Sequence, residues 1–362
     1  MKITFPTTQL QAVLNKAVKG AGNNKLIPMT SLIAIEASGD VAKFTTTDAT
    51  NYLMMTASIS DLEFQSDSDF YVAVQVDLLA KLVSKMTSDR TTLEVTDSGL
   101  NIIGNGRYQI ELDVDDDGNP IRLPNPIDKF EKGESIGAVQ SSVIANSISS
   151  LKSALLDKED YPWYECYYIN NEFILATDTY TVASYKRGFL DKPFLVSSEM
   201  MDLIGLLLGD ISVYSNNNAL LFESDNGVVY GKVTDGIDRY SVDELNAFVE
   251  QDFEFSCKVA KPTMLNLLDR ISLFVSPYDN GEITLTFKAD GLEVSSDSAN
   301  ELITYAEPSE KSGDFICKTD ITTLISQFKS QLSDVIEIQY GEDNAIKLVD
   351  GELTSVVALI EE

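Results

Sequence analysis

Three times along the chain the same succession of signals returns at a near-constant interval. Asp77, Ser198 and Thr319 each read as a helix opener, each is followed by apolar residues at +2, +5 and +6, and both steps between them are 121 residues. Hairpin dipeptides Asn105-Gly106, Asn226-Gly227 and Asp350-Gly351 recur after 121 and 124 residues. Thr47-Asp48, Thr177-Asp178 and Ser296-Asp297 each stand near the end of a strand-like run. A period of this length implies three copies of one domain-sized unit. With the Pro-rich, charged stretch from Asn119 to Lys132 read as a linker, the copies divide as 1–126, 127–247 and 248–362.

Within each copy the apolar spacing predicts two helices and about eight strands, an α+β unit with helices on one face of antiparallel sheet. The helices are expected over 7–22, 76–86, 141–157, 197–209, 260–276 and 319–332. Leu10, Val13, Leu14 and Ala17 form the inner face of the first, with Thr7 or Thr8 as its cap. Ile144, Ile148, Leu151 and Leu155 form that of the third, and Ile321, Leu324 and Ile325 that of the last. Tyr167 to Ile169 reads as a strand, Asn170-Asn171 as a turn, and Ala176 to Ala183 as part of a second strand.

The composition narrows the chemistry. There is no histidine, which removes the commonest general base and metal ligand together. Cys166, Cys257 and Cys317 each sit in a strand-like run and read as buried thiols. The acidic stretch Asp113 to Asn119 lacks the closing glutamate of a calcium loop and reads as a solvated turn. No phosphate loop, nucleophile elbow or zinc spacing occurs, so neither an enzyme nor a cofactor or metal site is expected. No apolar run has the length of a membrane span and no secretory signal precedes the first strand, so a cytoplasmic protein is expected.

Acidic residues outnumber basic ones 57 to 27, giving a net charge of −30. Spread evenly, that charge would repel nucleic acid. The six expected helices depart from it, with eight basic residues against six acidic ones. Helices from three copies facing a common centre would give a weakly basic lining inside an acidic shell, wide enough in principle for an anionic rod.

The opening MKITFPTTQLQAVLNKAV, the following Leu26-Ile27-Pro28, the segment ATDTYTVASYK and the closing SVVALIEE, in this order and with this repeat, resemble the bacterial DNA polymerase III beta subunit family, the sliding clamps. The resemblance implies tandem clamp domains with helices lining a ring and antiparallel sheets outside. It implies a homodimer, closed head to tail around duplex DNA, that is placed there by a clamp loader and tethers a polymerase without catalysis. The acidic composition and diverged motifs suggest a phage-encoded form. An acidic repeat protein acting as a DNA mimic or structural interaction module, never closing into a ring, is the alternative; a mimic would carry carboxylates on its helices.

The basic residues Lys16, Lys19, Lys81, Lys85, Lys152, Arg270 and Lys329 on the six helices are expected to face DNA, to which the resemblance, carried over residue by residue, adds Lys25 in the loop before Pro28. The resemblance places a partner-peptide pocket between the second and third domains. Ile169, Thr177, Thr179, Tyr180, Thr181 and Val182 form its first wall, with Ile237 and Val242 on the linker side. Tyr278, Ile346, Val356, Ala358, Leu359 and Ile360 face them. Arg107 and Ile110, with Leu273, Phe274 and Glu301, stand at the expected joint between subunits. The chain departs from the family where Gly-His-Arg is replaced by Thr179-Tyr180-Thr181 and where Asp320 takes the place of a pocket tyrosine.

Overall fold

The structure is a computed structural model that describes residues 1–63, 70–96, 99–114, 118–156, 161–216, 218–275, 281–309, 311–342 and 344–360. Tyr278 and Asp115 to Asp117 of the acidic turn lie outside the described residues.

The first copy runs β1 (Lys2–Pro6), α1 (Thr7–Ala17), β2 (Leu32–Ser38), β3 (Val41–Thr47), β4 (Asn51–Ser58), a short β5 (Asp61–Glu63), β6 (Phe70–Gln75), α2 (Val76–Ser84), β7 (Arg90–Thr96), β8 (Gly99–Ile103) and β9 (Arg107–Glu111). The second runs β10 (Gly137–Gln140), α3 (Ser141–Leu151), β11 (Cys166–Ile169), β12 (Ile174–Thr177), β13 (Thr181–Tyr185), β14 (Phe194–Ser197), α4 (Ser198–Ile204), β15 (Asp210–Asn216), β16 (Ala219–Ser224) and β17 (Gly227–Lys232). An added helix, α5 (Val242–Glu250), precedes the third copy. That copy runs β18 (Phe255–Ala260), α6 (Lys261–Ile271), β19 (Glu282–Phe287), β20 (Gly291–Ser295), β21 (Asn300–Thr304), β22 (Phe315–Asp320), α7 (Ile321–Ser330), β23 (Val335–Glu342), β24 (Ala345–Asp350) and β25 (Leu353–Ala358). Each copy is thus a strand, a helix, a set of strands, a second helix and a three-stranded meander.

Every copy splits into two half-sheets, of four strands each except for the five-stranded one that includes the short β5, and successive copies fuse them. One eight-stranded sheet has the order β10-β15-β16-β17-β4-β3-β2-β6 and is joined where β17 pairs with β4, Tyr230 opposite Tyr52. The other has the order β14-β11-β12-β13-β25-β24-β23-β18 and is joined where β13 pairs with β25, Val182 opposite Val356. Two half-sheets remain unfused, β5-β1-β7-β8-β9 and β21-β20-β19-β22. Their edge strands are β5 and β9 in the first and β21 and β22 in the second.

The contacts accordingly divide the chain into two compact units, residues 1–141 with 199–233 and residues 142–198 with 234–362. The seam runs through the second copy, so a boundary drawn at 127 and 247 follows the repeat while the packing follows the fused sheets. In the second unit, α6 and α7 pack between the small sheet and the larger one. Leu267, Leu268, Leu324 and Phe328 meet Ile283, Phe287 and Val294 on one side and Ile336, Ile338 and Val357 on the other. Burial of this kind is worth about 25 cal/mol per Å² of apolar surface.

Several local expectations are corrected. Pro6, not Thr7 or Thr8, is the N-cap of α1, and the Thr7 hydroxyl meets that of Thr91 at 2.8 Å. Gln75 precedes α2 and Asp320 precedes α7, so Asp77 lies inside the first turn and Thr319 lies before the cap. On α3 the buried face is Ile144, Ser147, Ser150 and Leu151, whereas Ile148 and Leu155 are half-buried. Ser147 tolerates burial by returning its hydroxyl to the Val143 carbonyl at 2.7 Å. Leu82 and Ile325 are also half-buried. The stretch Ala176 to Ala183 is no single strand, because it contains the turn between β12 and β13.

The hairpin signals have a shared reason. The Asn105 side-chain carbonyl accepts the Thr87 and Ser88 amides at 2.7 and 3.1 Å. Asn226 accepts the Leu208 amide at 2.7 Å, and Asp350 accepts those of Leu332 and Ser333 at 2.5 and 2.7 Å. In each copy the turn side chain holds the loop that leaves the second helix.

Candidate functional site

The turn between β12 and β13 is built by Thr177 and Asp178. Thr177 gives its hydroxyl to the Thr181 carbonyl at 2.7 Å and accepts the Thr179 amide at 3.0 Å. Asp178 accepts the Tyr180 and Thr181 amides at 2.9 and 2.6 Å. Thr179 is thereby held at a φ of 79°, a region a β-branched residue rarely enters. Thr47 and Asp48 build the same turn in the first copy, with Ala49 at a φ of 85°. The exposed product of the second turn is Tyr180, whose side chain is 71% accessible.

Beside Tyr180 opens a cleft of about 560 Å³ lined by Asp178, Tyr180, Glu282, Thr319, Asp320, Thr323 and Val357 to Ile360. The chain end forms its apolar wall and is pinned by backbone bonds. Ala358 donates to Tyr180 O, Leu359 to Asn344 O and Ile360 to Lys318 O, each at 2.9 Å. Its polar wall is the start of α7, where Asp320 accepts the Thr323 amide at 2.7 Å and the Thr322 hydroxyl at 2.5 Å. Gly281 has a φ of 74°, and a Cβ there would come within 2.2 Å of the Asp320 carboxylate. Burial raises the Asp178 carboxyl above the ordinary range despite the amides it accepts. Beside the twin turn in the first unit lies a smaller cleft of about 390 Å³, lined by Tyr52, Tyr230, Pro124, Pro126, Lys129 and Lys232 among others. Its charge is of the opposite sign.

Of the residues expected at the peptide pocket, Tyr180, Ala358, Leu359 and Ile360 line the larger cleft. Thr179 is exposed at the tip of the turn. Ile169, Thr177, Thr181 and Ile346 are fully buried and are not among the residues that line this cleft. Val182 and Val356 are covered on the other face of the sheet by α5, through Val242, Leu245 and Val249. Neighbouring side chains along a strand point to opposite faces, so Val356 under α5 and Val357 under α6 and α7 put α5 opposite those two helices. Tyr240 fills the same layer, stacked on Tyr168 at 5.4 Å, and burial holds its phenol well above the usual range. Ile237 remains partly exposed before α5. Asp178, Glu282, Thr319, Thr323 and Val357 were missed as pocket residues. The repeated Thr-Asp pair was the one available signal, and it marked only Asp178.

The expected DNA-facing residues lie on or beside the six repeat helices. Lys16 is the most enclosed. Its ammonium donates to Leu206 O at 2.9 Å, and burial, then Lys19, lowers its pKa. Lys81 pairs with Asp77 one turn back at 3.2 Å, and Lys19, Lys85, Lys152 and Lys329 are exposed. Lys25 is exposed in the loop before Pro28. Arg270 is held by Glu301 through both of its carboxylate oxygens, so an expected DNA contact and an expected joint residue neutralise each other. The Arg270 guanidinium in turn holds the Glu301 carboxyl below its usual range. With their 3-10 extensions and the C-cap Lys85, the repeat helices carry eight basic and four acidic residues. Helix α5 carries three acidic residues and no basic one, on the opposite face of its sheet.

At the edge strands, Arg107 of β9 pairs with Glu94 at 2.5 Å, and Ile110 is buried within its own unit rather than presented outward. Tyr108 beside it is 43% exposed. Near β21 stand Leu273, Phe274 and Leu302, exposed by 80%, 56% and 57%. All three cysteines are buried thiols, and burial pushes those of Cys257 and Cys317 up to about 12. Among the described residues no helix is long and apolar enough to cross a membrane.

No family model matches the chain. It is 22% identical over 321 residues to the beta sliding clamp of Bacillus subtilis, covering 82% of this chain and 81% of that protein. Among solved structures, the DNA polymerase sliding clamp of B. subtilis superposes with a TM-score of 0.82 at 17% identity, covering 100% of this chain and 99% of that one. The DNA polymerase III beta subunit of Thermotoga maritima gives 0.83 at 14% identity, covering 100% and 99%. The sliding clamp of Pseudomonas aeruginosa, solved bound to griselimycin, gives 0.83 at 13% identity over all of both chains. From end to end, the chain therefore has the fold of the bacterial sliding clamps.

Proposed function

We propose that this protein is a DNA sliding clamp, a processivity factor that closes head to tail as a homodimer around duplex DNA and tethers a polymerase. The observation that carries this reading is the pair of edges left over by the repeat. Wherever two copies meet, the last strand of one pairs with the third strand after the first helix of the preceding copy, β17 with β4 and β25 with β13. One last strand, β9, and one such third strand, β21, pair on one side only, with β8 and β20, and end their sheets. A second chain supplies the missing neighbour by the same kind of junction, and a head-to-tail joint repeated in a closed assembly leaves neither β9 nor β21 as an open edge.

The charge pattern supports the same reading. Basic helices in a chain of net −30 attract duplex DNA weakly and without base readout, which suits sliding. Carboxylate-rich repeat helices, which a DNA mimic needs, are not what the sequence provides. The three-domain division, a cytoplasmic site of action, placement by a clamp loader and the lack of any catalytic step follow from this proposal. Partners are tethered at the Tyr180 cleft.

The test is primer extension on circular single-stranded DNA with a bacterial clamp loader and polymerase. Wild-type protein should lengthen the products. Lys19→Glu, Lys81→Glu and Lys329→Glu together should abolish that gain without changing the native mass. Undiminished extension by the triple variant, or a wild type that never lengthens products, would overturn the proposal.

A further inference from the structure

We propose that the Tyr180 cleft selects a short extended peptide carrying a lysine or arginine next to an aliphatic or aromatic side chain, and discriminates against acidic peptides. The inference rests on the partner-docking reading above and adds the chemistry of the partner. The apolar half of the ligand is set by Tyr180 and the Ala358 to Ile360 edge, which the three backbone bonds fix in place. Its charge is set by Asp178, Glu282 and Asp320, three carboxylates on one concave surface. Lys318 faces Glu282 at 3.0 Å and offsets one of them. Asp178 and Asp320 are engaged only by amides and a hydroxyl, which direct the carboxylates but leave their charge in place.

Two further features favour a cation over an anion. The start of a helix ordinarily attracts negative charge, but here Asp320 already accepts the Thr323 amide and supplies that charge itself. The raised Asp178 carboxyl marks a buried anion short of positive compensation, which an incoming ammonium or guanidinium provides. Thr319 lines the same cleft, is fully buried, and has a hydroxyl without a hydrogen-bond partner. A peptide backbone or side-chain group entering there gives it one.

The experiment is fluorescence anisotropy of the full-length protein with three labelled nonapeptides, alike in a central Leu-Phe pair and differing in two flanking lysines, glutamates or serines. The lysine peptide should bind about tenfold tighter than the serine peptide and the glutamate peptide weaker than both, as expected for charge-assisted contacts. The preference should shrink with added salt. Asp178→Asn and Asp320→Asn keep the turn and cap acceptors, so each should lower affinity for the lysine peptide more than for the serine peptide and so narrow the difference between them, with thermal melts confirming the fold. Equal binding of all three peptides, or a lysine preference untouched by both variants, overturns the charge selection while leaving the docking reading intact. Absence of binding by any peptide overturns both.

Discussion

At the level of single residues, one side chain per copy does the work of closing the unit. Asp350 accepts two amides of the loop after α7, and nothing else in the described hydrogen bonds serves them. Asp350→Ala should therefore destabilise the protein by about 1–3 kcal/mol, since two backbone donors lose a charged acceptor. Asp350→Asn should recover most of the loss in urea unfolding, because the amide oxygen still accepts, as Asn105 and Asn226 do in the other copies. Thr179 is the converse case. It is held at positive φ, a strain of about 1–3 kcal/mol. Glycine removes that strain but adds about 0.4–1 kcal/mol of freedom to the unfolded chain, so Thr179→Gly should be neutral to mildly stabilising in the same measurement.

At the level of elements, α5 is the part the sequence disclosed least. Val242, Leu245 and Val249 fall at i, i+3 and i+7, but they stand among acids in a stretch outside the six expected helices, and the helix owes its place to what lies beneath it. Lys347 of β24 fastens its end. The ammonium donates to Val249 O at 3.1 Å and to Gln251 O, and sits 5.1 Å over the Phe253 ring. Lys347→Met should free those carbonyls and raise amide exchange across Val242 to Glu250 about tenfold, roughly 1.4 kcal/mol of local stability. The proton linkage has a definite sign. Burial lowers the folded pKa of Lys347 below 10.5, so between those values the unfolded chain binds more protons and stability rises with pH. The methionine variant should lose that rise. Helix faces such as Leu10, Val13, Leu14 and Ala17 were legible because a periodic stripe reports directly on burial. Sheet partners were not, because a strand's pattern names its buried face and not its neighbour along the hydrogen bonds. The cleft was half legible for a related reason. Asp178 belongs to a repeated motif and Asp320 stands at a pocket position in the family resemblance, while Glu282 is brought beside Asp320 only by the pairing of β19 with β22.

For the whole molecule, the decisive question is whether β9 of one chain meets β21 of another. Each chain carries a charge of −30, so association works against long-range repulsion, and added salt should strengthen the dimer rather than weaken it. The attraction must come from the apolar side chains near the edges and from strand pairing. Phe274 and Leu302 are the natural anchors, and the Phe274 carbonyl is tied to Ser296 at 3.3 Å, which keeps that corner beside the β20 and β21 hairpin. Phe274→Asp with Leu302→Asp would bury unpaired carboxylates in the joint and raise its dissociation constant at least about a hundredfold, equivalent to roughly 2.7 kcal/mol. Leu208→Asp, equally exposed but on neither edge, is the control. In native mass measurements at micromolar concentration, wild type and Leu208→Asp should weigh twice the 39.8 kDa chain and the edge variant should weigh one chain. An edge variant that stays paired would place the joint elsewhere, and a wild type that is single at high salt would leave β9 and β21 without the partner their fused counterparts already have.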